Sequence, residues 1–531
     1  MTPILPALRR LESEAEIYAS RYLIAFTVTL ASVLELLDTS IVNVAIPHMM
    51  GTLGATLDEV AWVSTGYVVA NVIVLPISGW LANYIGRRNY FALSILLFTF
   101  ASFLCGNSST LQSLVFWRIV QGLGGGGLIA TSQATLYETF PPREAGTSMA
   151  IFGLGIMVGP MLGPTLGGWI TDALSWPWIF YINLPLGILA LLLALMYVPD
   201  SKYGQRAEQV DGVGFLLLAL GVGCLQTMLE RGQEQDWFSS PEIKTYALVS
   251  VSAIVLFVRQ ELRHEHPIVD LRILKDVQFT VSLVFTFLLG GALFSTVFVF
   301  PVYVQTLLGF TAWETGLAVL PGAVASGLTM AVMGRATASV RLDLRLFVVI
   351  GALIFGYSMW RHSLFTTDSG WDDFLWPMIL RGVGLGMIFI PLNNLALGNL
   401  APARIAAGSG FYNLTRQLGG SVGIALSATL FQRFQVKNRG EILNHLSQFS
   451  HQAMARLAQY RALMIAHGAP ASRAGTQALL LLNGEVAKQA AMLSFERLFL
   501  YFGVALFAAL PLLLLMERGQ FSRPGAAAAA H

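Results

Sequence analysis

Apolar residues run along most of the chain in stretches close to the roughly 20 that a helix needs to cross a hydrocarbon core about 30 Å thick. The pattern predicts fourteen such helices. Six lie over Tyr22–Ala45, Glu59–Leu81, Tyr90–Cys105, Leu111–Tyr137, Gly146–Ile170 and Trp178–Val198. A pair follows over Val213–Leu229 and Ile243–Val258, and then six more over Phe279–Leu307, Trp313–Met333, Leu346–Trp360, Phe374–Leu397, Ala406–Leu430 and Phe495–Met516. The expected fold is an all-α polytopic membrane protein. It has two pseudo-symmetric six-helix bundles, over 22–210 and 279–516, with two extra central helices over 211–260. Residues 1–21 form a short segment before the first span, 261–278 a linker, 431–494 a long loop and 517–531 a tail. Within that loop, His451–His467 and Gln477–Met492 read as amphipathic helices.

Composition agrees. Of 531 residues, 55% are apolar and 12% charged, against about a quarter charged in soluble domains. The formal net charge of +2 offers no basic excess for nucleic acid. Cys105 and Cys224 are too few for a disulfide scaffold or a cysteine-rich zinc site. Residues 1–21 carry Glu12, Glu14 and Glu16 and do not read as a cleavable signal. With the amino terminus in the cytoplasm, Arg21, Arg87, Arg88, Arg143, Arg335, Arg345 and Arg404 fall on the cytoplasmic side, and both termini end there. The short outward loops then hold little beyond Arg231, Lys244 and Arg361.

The two ends of the chain repeat at a shift of about 260 residues. Gly79–Arg88 closes the second span as Gly334–Arg345 closes the tenth, Arg118 corresponds to Arg381, and Pro142-Arg143 to Pro402-Ala403-Arg404. Such halves are the mark of transporters that rock around a site near the membrane midplane.

Inside the spans, acids and bases are expensive and therefore informative. Glu35 and Asp38 lie three residues apart on one helix face. Burial disfavours the charged form of a carboxylate, so such a group can load and release a proton near neutral pH. Asp38 is the first candidate for the proton carrier, and Glu35 stands beside it. Arg118 stays charged and needs an acceptor, for which Asp38 is the nearest in kind. Arg381 and Arg416 pose the same question in the second half. In the fifth span Gly155, Gly159, Gly163, Gly167 and Gly168 leave a groove for a neighbouring helix, and Pro160 and Pro164 remove backbone donors and permit bending. The loop of Gly79, Asn83, Gly86, Arg87 and Arg88 can latch in one conformation and release in another. Gly122-x-Gly124-x-x-Gly127 lacks the strand–turn–helix context of a dinucleotide site, no phosphate-binding loop motif occurs, and His264-Glu265-His266 reads as solvated rather than metal-binding.

At these residues the chain resembles the major facilitator superfamily, in its fourteen-span drug:proton antiporter branch. Leu37-Asp38-Thr39-Ser40 onward to Pro47 is similar to that branch's first-span signature, and Gly155–Gly168 to its antiporter signature. Trp176-Pro177-Trp178 onward to Pro185 is similar to the start of its sixth span. Met228–Gly232, Asp236–Ser240 and the long outward loop resemble the EmrB-type multidrug exporters of Gram-negative bacteria. The usual loop acid is Asn83 here, and the usual Arg between the two tryptophans is Pro177.

The resemblance implies an inner-membrane secondary transporter, not an enzyme. It would export drugs or toxic metabolites on the proton gradient without a cofactor, with a periplasmic adaptor of the EmrA kind and a TolC-like outer-membrane channel. Alternating access would expose a cavity lined by Asn43, Trp62, Tyr67, Gln121, Phe294, Phe298, Asn393, Asn413 and Arg416. The competing readings are a dedicated exporter of one metabolite such as a siderophore, and a membrane sensor or assembly protein without transport.

Overall fold

The computed structural model describes residues 13–141, 144–201, 211–264, 267–339, 343–398, 400–446 and 450–516. Pro142, Arg143, Glu265, His266 and the tail over 517–531 lie outside the described residues, as do the side chains of Pro160 and Pro164.

The described chain is helical. After α1 (Glu14–Ala19), opened by a Ser13–Glu16 capping box, come α2 (Arg21–Leu53), α3 (Leu57–Val60) and α4 (Trp62–Val74), which passes through a 3-10 turn into α5 (Ser78–Ile85). Next are α6 (Arg87–Gly106), α7 (Leu111–Gly125), α8 (Leu128–Thr139), α9 (Ala145–Ala173), α10 (Trp178–Tyr181) and α11 (Asn183–Tyr197). The extra pair is α12 (Gly212–Arg231) and α13 (Pro241–Arg263). The second half holds α14 (Val277–Leu307), α15 (Ala312–Ser339), α16 (Leu344–His362), α17 (Trp371–Leu397), α18 (Ile405–His445), α19 (His451–Ala466) and α20 (Ala471–Ala509). Short polar side chains start many of these helices: Thr110, Asp211, Asp276, Asp343 and Ser450 each accept a hydrogen bond from a first-turn amide. Gly54, at φ +63°, ends α2 in the left-handed conformation that favours glycine.

Among the described residues, 12 segments are long and apolar enough to cross a membrane. The remaining two expected spans fall in α9, which holds the apolar stretch Gly146–Gly159, and in α18. The weaker apolar signal of α18 has a structural reason: it buries Ser409, Asn413 and Arg416 rather than presenting a uniform coat to lipid.

The repeat is visible in the packing. In the first lobe α2 packs on α9, α4 and α6 on α7, and α11 on α2 and α6. In the second, α14 packs on α18, α15 and α16 on α17, and α20 on α14 and α16. The lobes meet along two seams, α9 against α15 and α4–α5 against α18, with α12 resting on α4 and α18. A ring cluster of Phe300, Tyr303, Phe365 and Phe374 fills the second lobe.

Residues 431–494 are not a loose loop. α18 continues to His445, α19 folds back, and α20 runs without interruption from Ala471 into the last span. At the base of this projection Trp237 Nε1 donates to Thr429 Oγ1 at 2.9 Å.

Candidate functional site

Glu35 and Asp38 share α2 but meet different surroundings. Asp38 is 0% exposed and held from three sides. Arg118 Nη1 donates to its Oδ2 at 2.5 Å, while Gln121 Nε2 and Asn183 Nδ2 donate to its Oδ1 at 2.9 and 2.8 Å. Arg118 Nη1 also donates to Gln121 Oε1 at 2.8 Å and Nε to the Val63 carbonyl at 3.1 Å, and the guanidinium lies 4.2 Å from the Tyr67 ring centroid. A buried pair is tolerated when such hydrogen bonds satisfy its remaining donors and acceptors. The cluster lies inside the first lobe, built from α2, α4, α7 and α11.

Glu35, 4% exposed, faces the seam instead. Asn71 Nδ2 donates to its Oε1 at 2.7 Å, and its Oε2 has no partner. It borders a cavity of about 40 Å³ whose walls include Thr39, Tyr67, Asn71, Phe294, Asn413 and Arg416, so both lobes contribute. Arg416, 5% exposed, has an unpartnered Nε and reaches the cavity without forming a salt bridge to Glu35. Tyr67 divides the two carboxylate sites: its ring lies under Arg118, and the same residue forms part of the cavity wall. Gly125 leaves the room they need: a Cβ there would lie 2.9 Å from Tyr67 Oη and 3.5 Å from Glu35 Cγ.

The end of the molecule bearing Arg87, Arg88 and Arg404, here called the inner end, is shut. Tyr137 Oη lies 3.0 Å from the side-chain oxygens of both Asn393 and Asn394 and can donate to either. Asn413 Nδ2 donates to Gln133 Oε1 at 2.6 Å. A Cβ on Gly79 would lie 2.9 Å from the Ala406 carbonyl carbon and the Ala407 nitrogen. Nearby, Gly86 has φ +90°, Asn83 is half-buried, Arg87 forms a buried ion pair with Glu138, and the Arg88 backbone amide donates to Asp200 Oδ1 at 3.1 Å. In the other direction along α2, the face of Leu36 and Thr39 becomes exposed at Asn43, whose Oδ1 accepts from Ser64 Oγ at 3.0 Å. Asn43 is exposed and does not line the cavity.

The glycines of α9 receive the first helix. A Cβ on Gly159 would lie 2.6 Å from Leu36 Cβ, one on Gly167 would lie 2.9 Å from the Ile41 carbonyl oxygen, and Gly155 and Gly163 press on Thr29 and Ser40. Gly168 is half-buried. Another face of α9 meets α15, where Gly316 receives Thr165 and Gly334 meets Gly146.

Of the residues expected to line a cavity, Tyr67, Phe294, Asn413 and Arg416 do so. Gln121 does not, because its amide is engaged by Asp38 and Arg118 inside the lobe. Asn393 belongs to the inner closure, Phe298 is exposed, and Trp62 lies under Arg231 at 5.0 Å. Sequence reasoning missed Asn71, Asn183, Gln133 and Tyr137. Asn71 had a usable signal, standing one helical turn after Tyr67. A larger hollow of about 490 Å³ beside Arg272, Lys275 and Arg404 contains none of the buried charges. Among the described residues no three His, Cys, Asp or Glu side chains come together to hold a metal ion.

Residues 28–424 match the family model of the Major Facilitator Superfamily. The chain is 34% identical over 446 residues to the multidrug export protein EmrB of Escherichia coli K12, covering 84% of this chain and 87% of that one. It is 33% identical to the fatty acid resistance protein FarB of Neisseria gonorrhoeae over 93% of this chain and 96% of that one. Its fold is similar to that of the human organic anion transporter MFSD10 (TETRAN), with a TM-score of 0.57 and 13% identity over 92% of this chain and 99% of that one. With this match over most of its length, two repeated helical lobes and buried charges along their seam, the chain belongs to the major facilitator superfamily, as an EmrB-like membrane transporter rather than an enzyme.

Proposed function

We propose that the protein is a proton-driven exporter of lipophilic or amphipathic small molecules in the bacterial inner membrane, with the inner end and both termini in the cytoplasm. The observation that carries this reading is Glu35: a carboxylate buried in a cavity between the lobes, with one oxygen unmet. Such an oxygen gains from a proton or from a donor on a substrate, and the two exclude each other. Asp38 serves as the second acid. Its release from Arg118 requires α2 and α7 to shift against each other within the first lobe, which ties its protonation to a rearrangement of that lobe. Roughly 2.3 kcal/mol per charge per 100 mV is available from the membrane potential.

The projecting helices of 431–494 would carry the adaptor of the EmrA kind, and through it a TolC-like channel. Their exposed Val436 and Leu480, 71% and 65% accessible, support a contact outside the membrane. The relatives' names support small-molecule cargo, multidrug export for EmrB and, on the lipophilic side, fatty acid resistance for FarB.

Drug efflux from cells, with and without an uncoupler, tests the reading. Glu35→Gln and Asp38→Asn should each abolish the uncoupler-sensitive part. Wild-type efflux that ignores the uncoupler defeats the proposal.

A further inference from the structure

We infer that the cavity between the lobes selects the polar head of a zwitterionic amphiphile, one carrying a protonated amine and a carboxylate on a lipophilic body, through Glu35 on one wall and Arg416 on the other. The inference rests on the proposed transport reading and adds the substrate class. Two buried groups of opposite charge line one cavity from opposite lobes, and they do not pair. Each keeps a buried polar atom without a partner, Oε2 on Glu35 and Nε on Arg416. The Asn413 side-chain oxygen in the same wall is also unpartnered. Unpartnered buried atoms occur elsewhere among the described residues, but here an acid, a base and an amide oxygen are grouped around one cavity from both lobes, and it is that grouping that points to a ligand. The cavity of about 40 Å³ is the size of a head group, not of a whole amphiphile. Phe294, Leu36 and Val68 in its walls give the start of the apolar body a surface to lie against.

Charge balance then decides among head groups. Arg416 stays charged. The other groups around Glu35 are Asp38, already held by Arg118, and Tyr67 and Tyr90. An anion alone would leave two negative charges facing one positive, and would bind best when Glu35 carries a proton, which couples it in the wrong direction for proton-driven export. A cation alone satisfies Glu35 but leaves Arg416 beside a like charge. A zwitterion meets both, its ammonium donating to Glu35 and its carboxylate accepting from Arg416. It requires Glu35 ionised, so proton and substrate exclude each other.

The test is binding to the purified full-length protein of three amphiphiles sharing one aromatic body, bearing an amine, a carboxylate or both. Wild type should bind the zwitterion best and release a proton into weakly buffered solution as it does. Arg416→Gln should weaken the zwitterion by about ten- to a hundredfold, the worth of a charge-assisted hydrogen bond, and leave the cation unweakened. Arg416→Lys keeps the charge and should preserve the ranking, which separates loss of the head-group contact from loss of fold. Equal weakening of all three ligands by the Gln variant, or a wild type that ranks the anion or the cation first, overturns the inference. If export proves independent of the proton gradient while the ranking holds, the transport reading fails and the head-group assignment stands.

Discussion

Replacing Gly79 with alanine tests whether the inner end opens and closes as a unit. Gly79 lies on α5 at the seam with α18, and a Cβ would sit 2.9 Å from the Ala406 carbonyl carbon and the Ala407 nitrogen and 3.0 Å from the Ala406 carbonyl oxygen. All three are backbone atoms, which cannot swing aside. Ordinary contact begins at 3.4 Å, so the helices must part by about half an ångström in the closed state. Overpacking of this kind costs roughly 1–3 kcal/mol, and the open state does not bear it. The ratio of open to closed should rise by about five- to 150-fold. Spin labels at Tyr84 and Arg404, both exposed and on opposite sides of the inner seam, would report it by dipolar distance measurement after Cys105 and Cys224 are replaced by serine. The longer distance should gain population. Gly51→Ala is the control, because it makes a similar change in α2 where a Cβ meets nothing within 4 Å. Unchanged distances in Gly79→Ala, or the same shift in the control, would refute the reasoning.

Arg118→Ala leaves Asp38 as a buried charge short of its strongest donor and should destabilise the purified protein by about 3–5 kcal/mol, seen as a lowered thermal midpoint. Tyr137→Phe removes the hydroxyl bridging to Asn393 and Asn394, worth about 0.5–1.5 kcal/mol, and should shift the same spin-label distances outward by a smaller amount than Gly79→Ala. Phe374→Ala opens a hole among Phe300, Tyr303 and Phe365 and should cost about 3–5 kcal/mol of stability while leaving ligand selectivity unchanged, as ligand binding to the folded fraction would report.

The membrane helices were legible because the bilayer forces every span to be long, apolar and internally hydrogen-bonded. The glycine face of α9 was legible for a related reason: a four-residue spacing puts those positions on one side of a helix, whatever they touch. What each acid meets was not. Glu35 and Asp38 lie three residues apart, yet one faces the second lobe and the other faces Arg118, and the division is made by Tyr67 from another helix. No period within α2 contains that information. The segment over 431–494 shows the opposite limit. Its polarity reads as a break in the membrane pattern, but polarity alone does not end a helix. Between Ala471 and Ala509 there is no proline, and glycines at 475, 484 and 503 each cost only about 1 kcal/mol, so α20 runs on.

The reach of α18 turns this continuity into mechanics. At 41 residues and 1.5 Å each it is a rod of about 60 Å, roughly twice the thickness of a hydrocarbon core of about 30 Å. Under the proposed alternating access such a bar works as a lever, so that a tilt of a few degrees at the seam would become a sweep of several ångströms at His445. The proposed adaptor, docked on that tip, would then be mechanically informed of each stroke, with no messenger needed beyond the stiffness of a single helix.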